Sequence, residues 1–395
     1  MSSGGEAFTV FLIAGDVSGD RQAGVLARAI RALAPDVRLI GAGGAALRAA
    51  GVEVCVETTP TSVLGAVEAV RRLRGVVSRY LAVRRAIRAT RPQLAVLVDT
   101  EALLLPIGLW LRRARVPLAL YFPPQVWMWG RWRLRWVQLT ARRVISAFAP
   151  EAALYRAAGV DTVWVGHPLR DLVRADGDGA AAVRALGLDP TRPIVALMPG
   201  SRQREFDTVM PIVLETAHNL QQRDPRLQFV LPLASERYRA MVDAAVRAHA
   251  LRDVAVYQPA SYAVLGQARV VVQCSGTATL ETALLGIPSV IVYCCRAIEY
   301  LVVRHLYLRV PFIGLPNILL GDMVQPEFFY RGADAAHLTE AAWVLLTDER
   351  RRDDIRRRLA VLRDLLGPPG ASERAARAIV ELLPVDAGAG AARVG

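Results

Sequence analysis

The sequence contains no lysine, and its 49 strongly basic side chains are therefore all arginines, set against 36 acidic residues. Part of the formal net charge of +13 reflects this preference for arginine, so basicity alone does not indicate a nucleic-acid partner. The charge is unevenly distributed, because roughly 16 arginines but only two acids, Asp99 and Glu101, lie between Arg71 and Arg143. We expect one face of the first half of the protein to be strongly positive.

Cysteine and histidine are also scarce, with four and five residues. The cysteines show no CxxC spacing, and the neighbouring pair Cys294 and Cys295 does not easily form a structural disulfide. With so few histidines nearby, a metal site is not indicated either. We therefore expect no metal, no other cofactor, and reduced thiols in a cytoplasmic protein.

Long apolar runs are missing as well. The longest, Leu94–Leu111, contains Asp99, Glu101 and Pro106, so a buried strand followed by a helix fits it better than a membrane span. Met1–Glu6 lacks the basic start that is typical of a signal peptide. A chain of 395 residues, 53% of them apolar, has the size of two ordinary domains with large cores.

The most informative stretch that is present covers residues 269–293. Val270–Val272 is a β-branched run typical of a buried parallel strand, and a turn of small residues leads from it into a helix. Backbone N–H groups at such a turn, together with the positive end of the helix, predict an anion site. The candidate ligands are Ser275, Gly276, Thr277 and, for a ribose hydroxyl pair, Glu281.

A second stretch of the same kind begins with the strand Ile194–Met198. It ends in the small-residue turn Pro199–Ser201, followed by Arg202 and Glu205. One strand, turn and helix is common in any α/β protein, and a single such turn would indicate little. Two turns of this type in one half of the chain favour a site for a phosphate-bearing ligand.

Strands alternate with helical segments throughout, which predicts doubly wound parallel sheets. We expect an α/β protein with two Rossmann-like domains and a cleft between them. Pro326–Tyr330 is expected to be a loop that enters a helix. The predicted boundaries are a first domain at 1–172, a linker at 173–190, a second domain at 191–350, C-terminal helices at 351–384 that pack on the first domain or on a partner subunit, and a disordered tail at 385–395.

Acidic residues follow two predicted strands of the first half. Gly15–Asp20 is a glycine-rich turn, but acids stand where a pyrophosphate would need backbone donors, so we reject a nicotinamide site. Asp99 follows the strand Leu94–Val98, and the carboxyl ends of parallel strands are where open α/β sheets bind ligands. The alternative for Asp99 is a cap of the next helix.

The segment Phe122–Trp136 interleaves arginine with tryptophan and proline. Such a mixture can bind single-stranded nucleic acid by stacking and charge, or anchor at a membrane interface. The third interpretation is an ordinary packed loop and amphipathic helix. We favour an anionic membrane surface over nucleic acid, because two phosphate-type turns and acidic strand ends suit a small nucleotide.

In their order along the chain, these motifs resemble those of the lipid A disaccharide synthases from start to finish. The motifs that carry the resemblance are Ala14–Asp20, Val98-Asp99, Val126–Trp129, Val165–Pro168, Leu197–Arg202 with Glu205, Ser275–Glu281 and Leu315–Asn317.

The resemblance implies a GT-B glycosyltransferase that needs no metal. It implies inverting transfer of 2,3-diacylglucosamine from UDP to lipid X, 2,3-diacylglucosamine 1-phosphate, giving a β-1,6 disaccharide and UDP. It also implies a peripheral enzyme of the inner face of the plasma membrane, in many members a homodimer with exchanged C-terminal helices. The residues assigned in this way are Asp99 or Asp16 as the base, Arg202, Glu205, Ser275, Gly276, Thr277, Glu281 and Asn317 for UDP, and Ser18, Trp127, Trp129, Arg131 and Arg133 for the acceptor or membrane.

The sequence also departs from the family pattern. The family usually has Glu at Asp16, Ala-Pro-Asp-Phe-Asn at 100–104, Ser-Pro-Ser at 123–125 and Gln at Tyr330. Three of these four positions lie in the half that holds the acceptor, so the residues support nucleotide-sugar binding better than the identity of the acceptor. The alternatives are a different lipid acceptor, a UDP-sugar epimerase, and a nucleic-acid-binding protein.

Overall fold

The computed structural model describes residues 8–15, 17–58, 68–99, 101–233, 235–295, 310–330 and 332–383. Asp16 and the predicted tail at 385–395 lie outside these residues. The chain divides into two compact units, Met1–Pro168 with Leu366–Gly395, and Leu169–Leu365. We call these the first and the second unit.

The first unit is built on a seven-stranded parallel sheet of order β3-β2-β1-β4-β5-β6-β7. Its strands are β1 Thr9–Ala14, β2 Arg38–Gly43, β3 Glu53–Glu57, β4 Leu94–Val98, β5 Leu118–Tyr121, β6 Arg143–Ser146 and β7 Thr162–Trp164. Its helices in this part of the chain are α1 Val17–Leu33, α2 Ala45–Ala49, α3 Glu68–Thr90, α4 Glu101–Arg113, α5 Leu134–Thr140 and α6 Ala149–Ala157.

The second unit contains a six-stranded parallel sheet of order β10-β9-β8-β11-β12-β13. Its strands are β8 Ile194–Met198, β9 Gln228–Pro232, β10 Val254–Tyr257, β11 Val270–Cys274, β12 Ser289–Tyr293 and β13 Glu327–Phe329. Its helices are α7 Leu169–Leu172, α8 Gly179–Ala185, α9 Gln203–Thr208, α10 Met210–Arg223, α11 Arg239–Ala248, α12 Ala278–Leu284, α13 Leu315–Leu320, α14 Ala335–Thr347, α15 Glu349–Ala360 and α16 Leu362–Leu365.

The central strands are apolar along their whole length because helices cover both faces of each sheet. In β1, Val10 and Leu12 belong to the core on one face, whereas Phe11 and Ile13 belong to the core on the other. This two-sided burial explains why continuous β-branched runs, rather than alternating patterns, marked the strands correctly in the sequence.

The last helix, α17 Ala371–Val380, returns to the first unit. It packs on α1, and Ala375, Ile379 and Leu383 join the buried core of β1 and α1. The sequence placed the start of the returning segment at 351, but α15 and α16 belong to the second unit. Arg352 contributes one of the contacts that hold α15 there, because its buried guanidinium donates to the Leu345 and Leu346 carbonyls at the end of α14.

One local prediction is wrong: Pro326–Tyr330 is not a loop entering a helix but contains β13, which pairs in parallel with β12. A three-residue edge strand that is half-buried throughout has no hydrophobic period that a sequence can display. Among the described residues, no helix is both long and apolar enough to cross a membrane.

Candidate functional site

The two predicted anion turns lie side by side in the second unit. They follow β8 and β11, which are neighbouring strands with Met198 opposite Gln273. Burial raises the pKa of the Cys274 thiol at the end of β11. The two charges of the first turn also act on it, since Glu205 raises this pKa and Arg202 lowers it. The carboxyl edge of this sheet therefore brings the two motifs together, as the sequence predicted.

The turn after β11 is held by hydrogen bonds of Ser275, whereas the next residues of the turn are exposed. Ser275 donates its N–H to the Val292 carbonyl and its Oγ to the Ile313 carbonyl, at 2.7 Å. No acceptor within the described parts of the chain receives the N–H groups of Gly276, Thr277 and Ala278. Since Gly276 and Thr277 are exposed, these donors are available to a bound anion.

The turn after β8 differs, because its own carboxylate occupies it. Glu205 Oε2 accepts the N–H groups of Ser201 at 2.7 Å and Arg202 at 3.1 Å, and Oε1 contacts the Arg202 guanidinium at 3.1 Å. The expectation that this turn offers backbone donors to a phosphate is therefore wrong. What it offers is the Arg202 side chain, which is 69% exposed.

Asn317 is a structural residue of the second unit. Its side chain is fully buried, and its amide donates to the Gln325 carbonyl and to Glu327 while accepting the N–H groups of Val324 and Gln325. All four hydrogen-bonding positions of the amide are thus used within the protein. Asn317 therefore shapes the loop between α13 and β13, and its amide has no capacity left for UDP.

Glu327 is the residue that the sequence analysis missed. It stands in β13, and its carboxylate accepts the N–H groups of Ile313 at 2.9 Å and Gly314 at 3.0 Å and the Asn317 amide at 3.0 Å. Burial raises the pKa of this carboxyl, against the effect of its three donors. A single acid between Pro326 and two phenylalanines forms no motif, so only its contacts identify it.

Glu281 lies in the first turn of α12 with its side chain half-buried. This position is one turn along the helix from Ser275–Thr277, as the sequence predicted, and at the same carboxyl edge of the sheet. The thiols of Cys274 and Cys294 also lie nearby, but burial raises the pKa of both, which makes them poor nucleophiles. The described residues contain no cluster of His, Cys, Asp or Glu that could hold a metal.

In the first unit, Asp99 occupies the predicted place at the carboxyl end of β4. Its side chain is exposed, its backbone has φ +46°, and its N–H donates to the Tyr121 carbonyl at 3.1 Å. A left-handed conformation costs an aspartate about 1 kcal/mol, and residues held in this way cluster at functional sites. Left-handed backbone also occurs at Arg91, Arg115 and Asp253, so the role of Asp99 as the base stays a prediction that rests on its position.

The glycine-rich turn after β1 is fixed on both sides of Asp16. The Thr58 hydroxyl donates to the Ala14 carbonyl, and buried Asp20 accepts the N–H groups of Gly44 and Ala46 at 2.7 and 2.8 Å. Asp20 thus ties the start of α1 to α2. Ser18 lies in the first turn of α1 with a half-buried side chain.

The arginine and tryptophan segment separates into buried and exposed parts. Arg133 is 3% exposed, donates to the Trp129 carbonyl at 2.8 Å and lies 3.6 Å from the centre of the Trp129 ring. Its expected place at a membrane surface is therefore wrong, because the guanidinium is used inside the turn. Arg131 is exposed and Trp127 and Trp129 are half-buried, whereas Trp132, which was not singled out, is 52% exposed.

A cluster of aromatic rings packs against the Trp127 end of this segment. Trp127 contacts Phe148, and the His167 ring lies between Phe148 and Phe122 at 5.1 and 5.4 Å. Complete burial lowers the pKa of His167 to about 3, so this ring is neutral at physiological pH. The Val165–Pro168 motif is thus explained by packing within the first unit.

A protein-family model described as lipid-A-disaccharide synthetase matches residues 10–377. The chain belongs to this family. The lipid-A-disaccharide synthase of Geobacter sulfurreducens is 36% identical over 375 residues, which are 95% of this chain and 97% of that protein. The resemblance drawn from the motifs is confirmed, and the protein is a glycosyltransferase of the lipid-A-disaccharide synthase type.

Solved structures agree on the fold. The UDP-GlcNAc 2-epimerase from Neisseria meningitidis bound to UDP-GlcNAc aligns with a TM-score of 0.62 at 10% identity, over 95% of this chain and 100% of that one. The glycotransferase of kitacinnamycin aligns with a TM-score of 0.61 at 18% identity, over 96% and 100%. The predicted architecture of two parallel-sheet α/β domains of the GT-B class is confirmed.

Proposed function

We propose that this family member transfers 2,3-diacylglucosamine from UDP to the 6-hydroxyl of lipid X, which releases UDP and forms a β-1,6 disaccharide. The observation that carries the donor half of this proposal is the turn after β11, whose three N–H groups at 276–278 lack acceptors in the described structure beside the exposed Arg202. Backbone donors and a guanidinium are the groups that bind a diphosphate.

The donor half also gains support from relatives of the fold. A Neisseria epimerase of this fold is bound to UDP-GlcNAc, which makes a UDP-sugar the natural ligand to test. Glu281 would bind the ribose hydroxyls. We reassign Glu205 and Asn317 from ligand contacts to residues that shape the site, because their polar atoms are engaged within the protein.

For the chemical step we assign the base to Asp99, with Asp16 as the alternative. Asp99 would take the proton of the acceptor 6-hydroxyl as its oxygen attacks C1 of the donor sugar. The bond from C1 to the diphosphate oxygen breaks at the same time, and the electron pair leaves with UDP. Arg202 and the turn at 275–278 would stabilise the charge that develops on the diphosphate.

A lipid acceptor implies docking on an anionic membrane surface, which we propose for the inner face of the plasma membrane. Removing acyl chains from a bilayer costs about 0.8 kcal/mol per CH₂, so the enzyme must reach the lipid where it lies. The exposed residues that fit this role in the first unit are Val77, Leu81, Arg85, Arg131, Trp132, Arg135 and Leu139. A homodimer with exchanged C-terminal helices stays a prediction; in this chain α17 packs on α1.

The experiment that tests the proposal is mass spectrometry of the products formed from UDP-2,3-diacylglucosamine with lipid X or another lipid acceptor. We expect a disaccharide 1-phosphate and one UDP per turnover. A disaccharide formed only with another acceptor would retain the transferase and replace lipid X. An epimerised nucleotide sugar without a lipid product would instead support the epimerase alternative.

A further inference from the structure

The loop that supports the donor turn is itself held by one carboxylate. We propose that Glu327 is a positioning residue for the donor turn, acting on Ser275 through the peptide group between Ile313 and Gly314. This inference rests on the proposed function of that turn in UDP binding. It assigns the residue no contact with UDP, since the three donors that Glu327 accepts all belong to the protein.

The coupling runs through one rigid group. Glu327 Oε2 accepts the Gly314 N–H at 3.0 Å, and Ser275 Oγ donates to the Ile313 carbonyl at 2.7 Å. These N–H and C=O groups are the two ends of a single planar peptide unit. A carboxylate that polarises the N–H end strengthens the acceptor at the other end, so the two hydrogen bonds reinforce each other. Glu327 thereby sets both the place and the strength of the bond that holds Ser275.

The carboxylate is in turn fixed from two directions. Strand pairing places Glu327 opposite Ile291, and the buried amide of Asn317 donates to Oε2 at 3.0 Å. The packing at Gly314 is close, since a Cβ there would lie 2.5 Å from the end of the Ile291 side chain and 3.2 Å from Glu327 Oε2. A side chain at Gly314 would therefore have to displace the end of Ile291 and shift the carboxylate.

A positioning role differs from a merely stabilising one in what it predicts for Ser275. If Glu327 acts through the peptide group, its removal lowers UDP affinity only while the Ser275 hydroxyl is present to donate to the Ile313 carbonyl. If Glu327 only stabilises the fold, its effect on UDP affinity is independent of that hydroxyl. A double-mutant cycle separates the two cases, because it isolates the interaction between the two positions.

The test measures UDP affinity by titration calorimetry for the parent, Glu327→Gln, Ser275→Ala and the double variant. Gln can replace only one of the acceptor oxygens, so we expect Glu327→Gln to weaken UDP binding by roughly tenfold. In the Ser275→Ala background the same change should cost less than about twofold. Asp348→Asn, which removes a carboxylate that caps α15 in the same unit, is the matched control and should leave UDP affinity unchanged.

Two results overturn the inference alone: Glu327→Gln binding UDP as tightly as the parent, or effects that multiply in the double variant. A parent that binds no UDP overturns the proposed donor site and this inference with it. Should Glu327→Gln fail to fold, Glu327→Asp keeps the charge at a shorter reach. It should weaken UDP binding several-fold in the parent background and have little effect with Ser275→Ala, and independence from Ser275 would again refute the role.

Discussion

The two units share a strand order but differ at the carboxyl edges of their sheets. Relabelled from the first strand of each sheet, both follow the order 3-2-1-4-5-6, and the first unit adds a seventh strand. In the first unit the edge presents exposed Asp99 in a left-handed conformation. In the second it presents backbone donors, a guanidinium and a buried polar network. The same scaffold thus presents an exposed carboxylate on one edge and possible anion ligands on the other, and we propose acid–base chemistry for the first and UDP binding for the second.

A second contrast lies within the second unit. Both turns follow a strand and contain glycine and serine, yet Glu205 fills one of them and the N–H groups of the other have no acceptor in the described structure. A small-residue turn can therefore offer its N–H groups to an external anion only where no side chain of the protein already accepts them. The contrast between the units implies that changes in the first should alter turnover and changes in the second should alter UDP affinity.

The largest expected effect concerns the first edge. Asp99→Asn keeps the size of the side chain but removes its ability to accept a proton, so turnover should fall by roughly 10²–10⁴ with UDP affinity unchanged. Steady-state kinetics with UDP calorimetry checks this. The matched control is Asp36→Asn, an exposed acid that precedes β2 at the opposite end of the sheet. Near-normal turnover in Asp99→Asn would shift the base to Asp16.

The second edge gives the next effect. Arg202→Ala removes a charge-assisted hydrogen bond to the diphosphate, and we expect UDP binding to weaken by about 1.5–3 kcal/mol. Arg247→Ala, which removes an exposed guanidinium from α11 in the same unit, should bind UDP as the parent does. If the Arg202 variant bound UDP as tightly as the parent, UDP binding would no longer distinguish the second edge from the first.

The dependence of stability on pH tests whether His167, in the interior of the first unit, is buried and neutral in the folded protein. Burial lowers the pKa of His167 to about 3, so the unfolded chain binds a proton below pH 6.5 that the folded protein does not. This contribution to stability is present above pH 6.5 and is lost as the pH falls, by about 2 kcal/mol at pH 5. Urea unfolding of the parent and of His167→Gln at pH 7.5 and pH 5 measures it. Parallel declines in the two proteins would mean that His167 titrates normally.

The smallest expected effect concerns the surface of the first unit. Arg131→Gln should weaken binding to anionic vesicles by about 1 kcal/mol, and added salt should reduce the difference. Arg350→Gln, at an exposed position in α15 of the second unit, serves as the control in the same co-sedimentation assay. If the parent shows no preference for anionic over neutral vesicles, the docking proposal fails.

Strands buried on both faces were the easiest part of the fold to predict. The predicted strands Leu94–Val98 and Ile194–Met198 have the observed bounds, because apolar runs this short fit a strand buried on both faces better than a helix. The short strand β13 and the return of the chain at 366 rather than 351 were not predictable. Both depend on which surface a weakly patterned segment packs against, and only the folded structure shows that α17 packs on α1.

The site divides in the same way. Sequence alone determined the family, the two turns after β8 and β11, and the positions of Asp99 and Arg202, because these follow from residue type and from the neighbouring strand. Only the tertiary structure decided which groups remain available. It engaged Glu205 and Asn317 in hydrogen bonds within the protein and buried Arg133 against Trp129. It also joined Glu327 to Ser275 through the peptide group between Ile313 and Gly314. A carboxylate, an amide or a guanidinium binds whichever partner lies within about 3 Å, and residues far apart in the chain set that distance.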